Sequence, residues 1–538
     1  MVKNHKFQNQ LLWRKGDVYK VVGDEEAPCL SLVYGGNSFV NGKKTARPKL
    51  LYFMLLTFLY CCLILTPQYL TSRPTLSLLY SFGVEDGRFF PDADFPGYLC
   101  VDVVNGSICC DRHSNRSDVC IMKGDVRTDS TIGSVFLYRG NNNSSDYASG
   151  PSVDGDDDVD EVLQREKIRP YTRKWEPAVM GTVQQLELIM KKGNSGDSHH
   201  CDVRHNVTAV FFSTSGYTGN LYHEFNDGII PLYVTVQHLK KQVILVVVDY
   251  KNWWYMKYAD VVSELSDYPI IDFSGDNRTH CFPEAIVGLR IHDDLHIDPS
   301  LMEGNRTIRD FRNLLDRAYW PRIKGLIEDE EREAAELLAL APPSEQMLKQ
   351  KSDFQTKPKL VIISRNGSRE ITNQDAMIEL AEEIGFSVEI VVPDKTSELA
   401  KIYRELNSSD VLIGVHGAAL THFLFMKPGS VFIQVSVLGT EWASDKYFGS
   451  TAVKFGLKYV GYQILPEESS LYDSYAKDDP VLVDPYAVNR RGWEVTKQIY
   501  LDHQNVRLNL RRFGKVLYRA YYYTLAKRKG RVLPLDLQ

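Results

Sequence analysis

The chain has 538 residues, 43% hydrophobic and 25% charged, the balance of an ordinary globular protein with room for two or three domains. A net charge of −6 leaves no basic footprint, which argues against a nucleic-acid module and keeps sugar polymers and other neutral partners open.

Residues 1–49 hold nine Lys/Arg against four acids, show little periodicity and read as a cytosolic tail. The uncharged stretch 50–72, with the apolar core LLYFMLLTFLYCCLIL (50–65), reaches roughly 35 Å as a helix at ~1.5 Å per residue, enough to cross a bilayer. The cations before it keep the N-terminus cytosolic, so the stretch is expected to be a single-pass, type II signal anchor with the rest of the chain lumenal. Of nine cysteines, Cys100, Cys109, Cys110, Cys120, Cys201 and Cys281 follow the span, an even number suited to disulfides in an oxidising lumen, with the pairing left open. Nine N-x-S/T sequons also all follow it, as expected of a glycoprotein.

Residues 73–165 are predicted to be a lumenal stem, with a Cys-rich patch at 97–120 and an acidic, solvated linker around 141–162. A first lobe, 166–300, carries strands AVFFS (209–213), VILVVV (243–248) and AIVGLRI (285–291), with the helix GNLYHEFNDGIIPLYVTVQHL (219–239) after the first. A helical connector, 301–357, contains 309–320 and the charged 327–340. The second lobe, 358–538, repeats the grammar: KLVIIS (359–364), a helix at 373–385, SVEIVV (387–392), a helix at 396–406, DVLIGV (410–415), AALTHFLFM (418–426) and SVFIQV (430–435), ending in a basic helix within 505–530. Strand–helix–strand units on this spacing imply an α/β protein of two Rossmann-like, doubly wound lobes facing a cleft.

Chemistry concentrates at the strand ends of the second lobe. Between strand and helix, the small residues Gly417 and Ala418 after His416 leave backbone N–H groups open at a helix N-terminus, a cradle for a phosphate or diphosphate. Arg365 emerges past a neighbouring parallel strand, on the same edge, where a guanidinium can clamp diphosphate oxygens. An ordinary strand–helix turn and a surface ion pair are the plainer readings of these features. No acidic pair ends an apolar strand, so a metal-dependent DxD reaction is disfavoured, and no G-x-G-x-x-G follows a strand, which disfavours a dinucleotide oxidoreductase or epimerase. In the first lobe His223 and Asp227 lie four apart on one helix and share a face, while Glu224 points about a quarter-turn away. A carboxylate beside an imidazole suits a general base for a sugar hydroxyl; a buried pair that anchors the helix is the alternative. Trp253 and Trp254, just past a strand, are core residues or sugar-stacking rings.

GNLYHEFNDGIIPLY (219–233), LVIISRNGSREITN (360–373) and GVHGAALTHFLFMKPGSVFIQV (414–435) together resemble glycosyltransferase family 61, and HCFPEAIVGLRIHDDLHIDP (280–299) and NWWYMKYADVVSELSDYP (252–269) resemble its plant xylan-modifying branch. The resemblance implies a Golgi type II membrane protein of GT-B fold and an inverting, metal-independent transfer from a UDP-pentose to xylan. By motif it assigns His223 and Asp227, with Glu224 between them, to catalysis, and Arg365, His416, Gly417, Ala418 and Thr421 to nucleotide contact. Glu441 and Trp442, after the strand at 430–435, are candidate donor-sugar contacts. The expected activity is α-1,3-L-arabinofuranosyl transfer from UDP-arabinofuranose. The alternatives are β-1,2-xylosyl transfer from UDP-xylose and a non-catalytic Golgi polysaccharide-binding scaffold. No cofactor or metal is expected, and assembly with other Golgi transferases is a further expectation.

Overall fold

Continuous β-branched runs form the centre of each sheet. The computed structural model describes residues 99–139, 161–192, 200–340 and 357–531. The predicted tail, the anchor at 50–72 and nearly all of the acidic linker lie outside them. Among the described residues no helix is long and apolar enough to cross a membrane.

The first sheet comprises β1 (Ser107–Asp111), β2 (Val119–Asp129), β3 (Ser134–Arg139), β4 (Val162–Ile168), β5 (Leu186–Lys192), β6 (Val203–Arg204), β7 (Thr208–Ser213), β8 (Val243–Val248), β9 (Ile271–Asp272) and β10 (His280–Val287). Its order is β4-β5-β3-β2-β10-β7-β8-β9, with β1 on β2 and β6 on β10. Every residue of β7 and β8 is buried, the pattern of parallel strands covered on both faces. Pairing of β7 with β8 and β10 is parallel, but β2 runs antiparallel to β10 and β3, and β4 antiparallel to β5. The first lobe is therefore a mixed sheet: β10-β7-β8-β9 has the expected parallel form, β6 on β10 and β3 on β5 are parallel as well, and the remaining pairs are antiparallel. This also corrects the stem: β1 to β3 fall inside 73–165 and β4 begins there, yet all four belong to this sheet. Cys100–Cys109 ties the segment before β1 onto β1, Cys110–Cys120 holds β1 against β2, and Cys201–Cys281 ties the approach to β6 onto β10. The Cys- and Gly-rich composition of that region, and the half-polar β4 (VLQREKI), hid a strand pattern that burial on one face makes plain.

The second sheet, β11 (Lys359–Ile363), β12 (Ser387–Val391), β13 (Val411–Val415), β14 (Val431–Ser436) and β15 (Lys458–Gln463), is parallel throughout, in the order β12-β11-β13-β14-β15. Chain order reverses between β11 and β13. In open parallel sheets that switch point leaves a crevice at the strands' C-terminal ends, where ligands bind. Arg365 and His416 follow those two strands directly.

The helical run 221–239 (α1) is capped by Asn220, whose side chain accepts from Tyr222 N at 3.0 Å, and contains a π-turn over Glu224–Ile229. Asn252–Val262 (α2) follows β8, and Ile308–Leu340 (α3) joins the sheets as one helix passing through Pro321, where two shorter helices were expected. Gln374–Ile384 (α4), Leu399–Asn407 (α5) and the terminal Leu510–Arg528 (α6) flank the second sheet. The segment Ala418–Phe425 is 3₁₀. A single apolar core runs between the sheets, containing Val210, Phe212 and Phe225 from the first and Val361, Leu412, Leu420 and Phe432 from the second. Phe225 meets Phe425 edge-on at 6.1 Å, and Arg312 of α3 donates to the backbone oxygens of Phe425 and Met426. The lobes therefore share an interior among the described residues.

Candidate active site

In the first lobe the loop between β4 and β5 folds over the start of α1. Arg173 Nε donates to Asp227 Oδ2 at 2.8 Å, Tyr171 OH donates to the same oxygen at 3.3 Å, and Asn226 Nδ2 donates to Oδ1 at 2.7 Å. His223 Nδ1 lies 2.7 Å from Asp227 Oδ2 and 3.1 Å from Arg173 Nη2. A guanidinium cannot accept, so the nearer carboxylate sets the tautomer: Nδ1 carries the proton and donates to Asp227, leaving the Nε2 lone pair free. Burial pushes the Asp227 carboxyl up, but the His223 hydrogen bond and the Arg173 charge outweigh it and hold the group below its ordinary value. Tyr217 stacks on the imidazole with ring centroids 4.1 Å apart and donates its hydroxyl to Glu176 at 2.5 Å.

Glu224 does not join this pair. Within the π-turn its carboxylate turns inward, Oε1 accepting from Gly219 N at 2.7 Å and Oε2 from Trp254 Nε1 at 2.6 Å. Both oxygens are occupied and burial raises its pKa, so Glu224 braces the site where a catalytic part was expected. Trp254 is correspondingly core, whereas Trp253 is exposed.

In the second lobe Arg365 and Arg369 converge on Gly417. A Cβ at Gly417, whose φ is +152°, would stand 2.7 Å from Arg365 Nη1 and 2.8 Å from Arg369 Nη1, so only glycine admits both guanidiniums. Arg369 Nη1 donates to the His416 carbonyl at 3.0 Å, Arg365 Nε donates to Ser368 O at 3.2 Å, and Arg369 Nε is buried without a partner. Among the described residues neither arginine forms an ion pair with a carboxylate. Burial lowers the pKa of Arg365; burial and then the Arg365 charge bring Arg369 down to about 10, with Asp502 acting against them at longer range. Two half-buried like charges converging on one glycine, with no carboxylate partner among the described residues, suit an anion.

His416 completes it. Tyr459 OH donates to Gln434 Oε1 at 3.0 Å, which turns the Gln434 amide nitrogen toward His416 Nδ1 at 2.8 Å. Nδ1 therefore accepts and the ring proton is on Nε2. Burial, Arg369 and Arg365 push this imidazole down to about 3, so it acts as a neutral hydrogen-bond donor. Ala418 is half-buried at the rim of the turn. Thr421 is fully buried and its hydroxyl has no partner, away from any solvent-facing contact. Glu441 is half-buried one turn before Ser444, whose hydroxyl lies 3.3 Å from His416 Nδ1, and Trp442 is exposed, edge-on to Tyr447 at 6.0 Å.

Two rings separate the halves: Tyr222 lies 5.3 Å from His223 and 5.8 Å from Phe448, which lies 5.6 Å from His416. The geometry thus brings His223 and Asp227 together on one side and Arg365, His416 and Gly417 on the other. Sequence reasoning missed Arg369, whose signal is its spacing from Arg365 across a Gly-Ser turn. It also missed Arg173, which has no local signal because it comes from a loop fifty residues upstream of its partners.

The first lobe thus supplies a histidine–aspartate pair and the second a di-arginine cluster, with Tyr222 and Phe448 packed between them. The Glycosyltransferase 61 family profile matches residues 245–433. The chain is 50% identical to the xylan glycosyltransferase MUCI21 of Arabidopsis thaliana, over 89% of this chain and 93% of that one. It is 35% identical to the β-1,2-xylosyltransferase XYXT1 of Oryza sativa subsp. japonica (77% and 83% covered) and 34% identical to the α-1,3-arabinosyltransferase XAT3 of the same rice (76% and 64% covered). The chain belongs to glycosyltransferase family 61 and is a glycosyltransferase.

Proposed function

We propose that this glycosyltransferase moves a pentose from a UDP-sugar onto the xylan backbone by a single, inverting displacement. The observation that carries the reading is the pair Arg365 and Arg369, half-buried together at Gly417 with no carboxylate in ion-pair contact among the described residues, which a diphosphate would neutralise. The relatives' names support the xylan acceptor and a pentosyl donor. In the reaction His223 Nε2 takes the proton of the acceptor hydroxyl as that oxygen bonds to the anomeric carbon. The bond from that carbon to the β-phosphate oxygen breaks, and UDP leaves onto the two guanidiniums and the His416 Nε2–H. Asp227 and Arg173 hold the imidazole in position and the carboxylate stabilises the imidazolium that forms. This division of roles needs no divalent ion at the leaving group. Arabinofuranose is our reading of the donor sugar, with xylose the alternative. The stretch 50–72 supports a Golgi type II membrane location with the site lumenal, as a two-lobed GT-B enzyme would have.

The test incubates the protein, with EDTA present, with UDP-arabinofuranose, UDP-xylose and xylo-oligosaccharides, and reads products by mass and linkage. Transfer of a pentose in chelator supports the reading, and the linkage decides between donors. Transfer that needs added manganese, or a hexosyl product, overturns it.

A further inference from the structure

The rim above His223 carries an exposed indole. Trp175 follows Arg173 in the loop that buttresses Asp227, and 41% of its surface is exposed. The Arg173 guanidinium lies 4.8 Å from the Trp175 ring and that of Arg116 lies 5.4 Å from it. Arg173 also lies 5.8 Å from the Tyr217 ring, which stacks on His223, so the indole and the Tyr217 ring flank one guanidinium beside the imidazole. The support beneath is firm: Arg173 is fixed by Asp227 and Glu176, and Arg116 by Asp293 and Asp294. Arg173 reaches from the Trp175 ring to within 3.1 Å of His223 Nδ1, so one guanidinium separates the indole from the imidazole. Trp253, Trp320 and Trp493 are exposed as well, but no ring or cation contact links them to His223.

We propose that the exposed part of the Trp175 indole is the stacking platform for the xylan residue next to the one that receives the sugar. A pentopyranose in a β-1,4 chain has no exocyclic hydroxymethyl group and offers a flat face of axial C–H bonds, which an electron-rich indole attracts. Two cations against the ring hold it in one orientation at little entropic cost. Tyr217, 36% exposed, continues the surface toward His223, and Glu176, which joins its hydroxyl to Arg173, supplies a carboxylate at the same rim. The reacting residue then lies over His223 Nε2 and its neighbour over Trp175, so Trp175 sets which hydroxyl meets the base.

This rests on the acceptor reading above, and the experiment separates the two. The full chain and its W175A and W175F forms are assayed at saturating UDP-pentose against xylobiose and xylohexaose, with UDP binding measured by calorimetry. W175A is expected to raise KM for xylohexaose about ten-fold, to shift the pattern of substituted positions and to leave the Kd for UDP unchanged, while W175F recovers to within about three-fold. Transfer by the unsubstituted protein beside a W175A form with KM within about two-fold overturns the platform alone. W175A and W175F that both lose UDP binding also overturn it, since the ring then supports the fold. Failure of the unsubstituted protein to act on any xylo-oligosaccharide overturns the acceptor reading, and the platform with it.

Discussion

Arg173 is a buried guanidinium and Arg369 a half-buried one in the same enzyme, and they are in opposite electrostatic states. Arg173 is locked between Asp227 and Glu176, and although burial works against its charge, Asp227 carries its pKa above the ordinary value. Arg369 sits against Arg365, and its pKa falls. The first lobe is electrostatically complete before any substrate arrives, which suits a base that must keep one tautomer. The second is incomplete, which suits a surface that must hold an anion strongly and only when one is present.

The largest effects separate the two sides most clearly. His223→Ala should lower kcat about 10²–10⁴-fold in the transfer assay, with UDP binding by calorimetry unchanged. Arg173→Leu leaves Asp227 buried and uncompensated and should cost about 3–5 kcal/mol in urea unfolding. Arg369→Leu should do the reverse, leaving the ligand-free protein as stable or more so. The same change should weaken UDP by about 1.5–3 kcal/mol, the range for a hydrogen bond to a charged group. A loss of stability in Arg369→Leu equal to that in Arg173→Leu would break the comparison.

Ligand and pH sharpen it further. At 100 times its Kd, UDP should raise unfolding stability by about 2.7 kcal/mol, and the double change R365A/R369A should abolish that gain. His416 and His422 are pushed by burial to about 3 and about 4, below the 6.5 of a free imidazole. Their folded-state values are depressed, so the unfolded chain binds more protons in that window. Stability should be full above about pH 6.5 and fall as pH drops toward 4, and His416→Asn should flatten the slope in urea midpoints. The smallest effect is expected at Glu224, held at both oxygens: Glu224→Gln should change kcat by less than about ten-fold.

The central strands were legible in the sequence because each is a short, uninterrupted apolar run. β8 and β13 fall on or within one residue of their expected bounds. β1 to β4 were not, because Cys, Gly and polar residues interrupt β1, β2 and β4, and the short β3 lies among stretches of stem-like composition. The cradle was half legible: Arg365, His416 and Gly417 follow strand ends, where topology predicts a site. Arg369 sits in a turn at φ +58°, a conformation that periodicity does not announce. The π-turn was equally silent, and it turns Glu224 inward onto Trp254 while His223 and Asp227 stay paired. Arg173 could be found only by folding the chain.

The interior common to both sheets limits how this enzyme can be rebuilt. Exchanging the nucleotide-binding half for that of a relative would cut through Phe225 and Phe425 and the Arg312 anchors, exposing oily surface on each piece. Grafts that alter donor choice therefore have to travel as loops at the strand ends, leaving the packed layer beneath them intact.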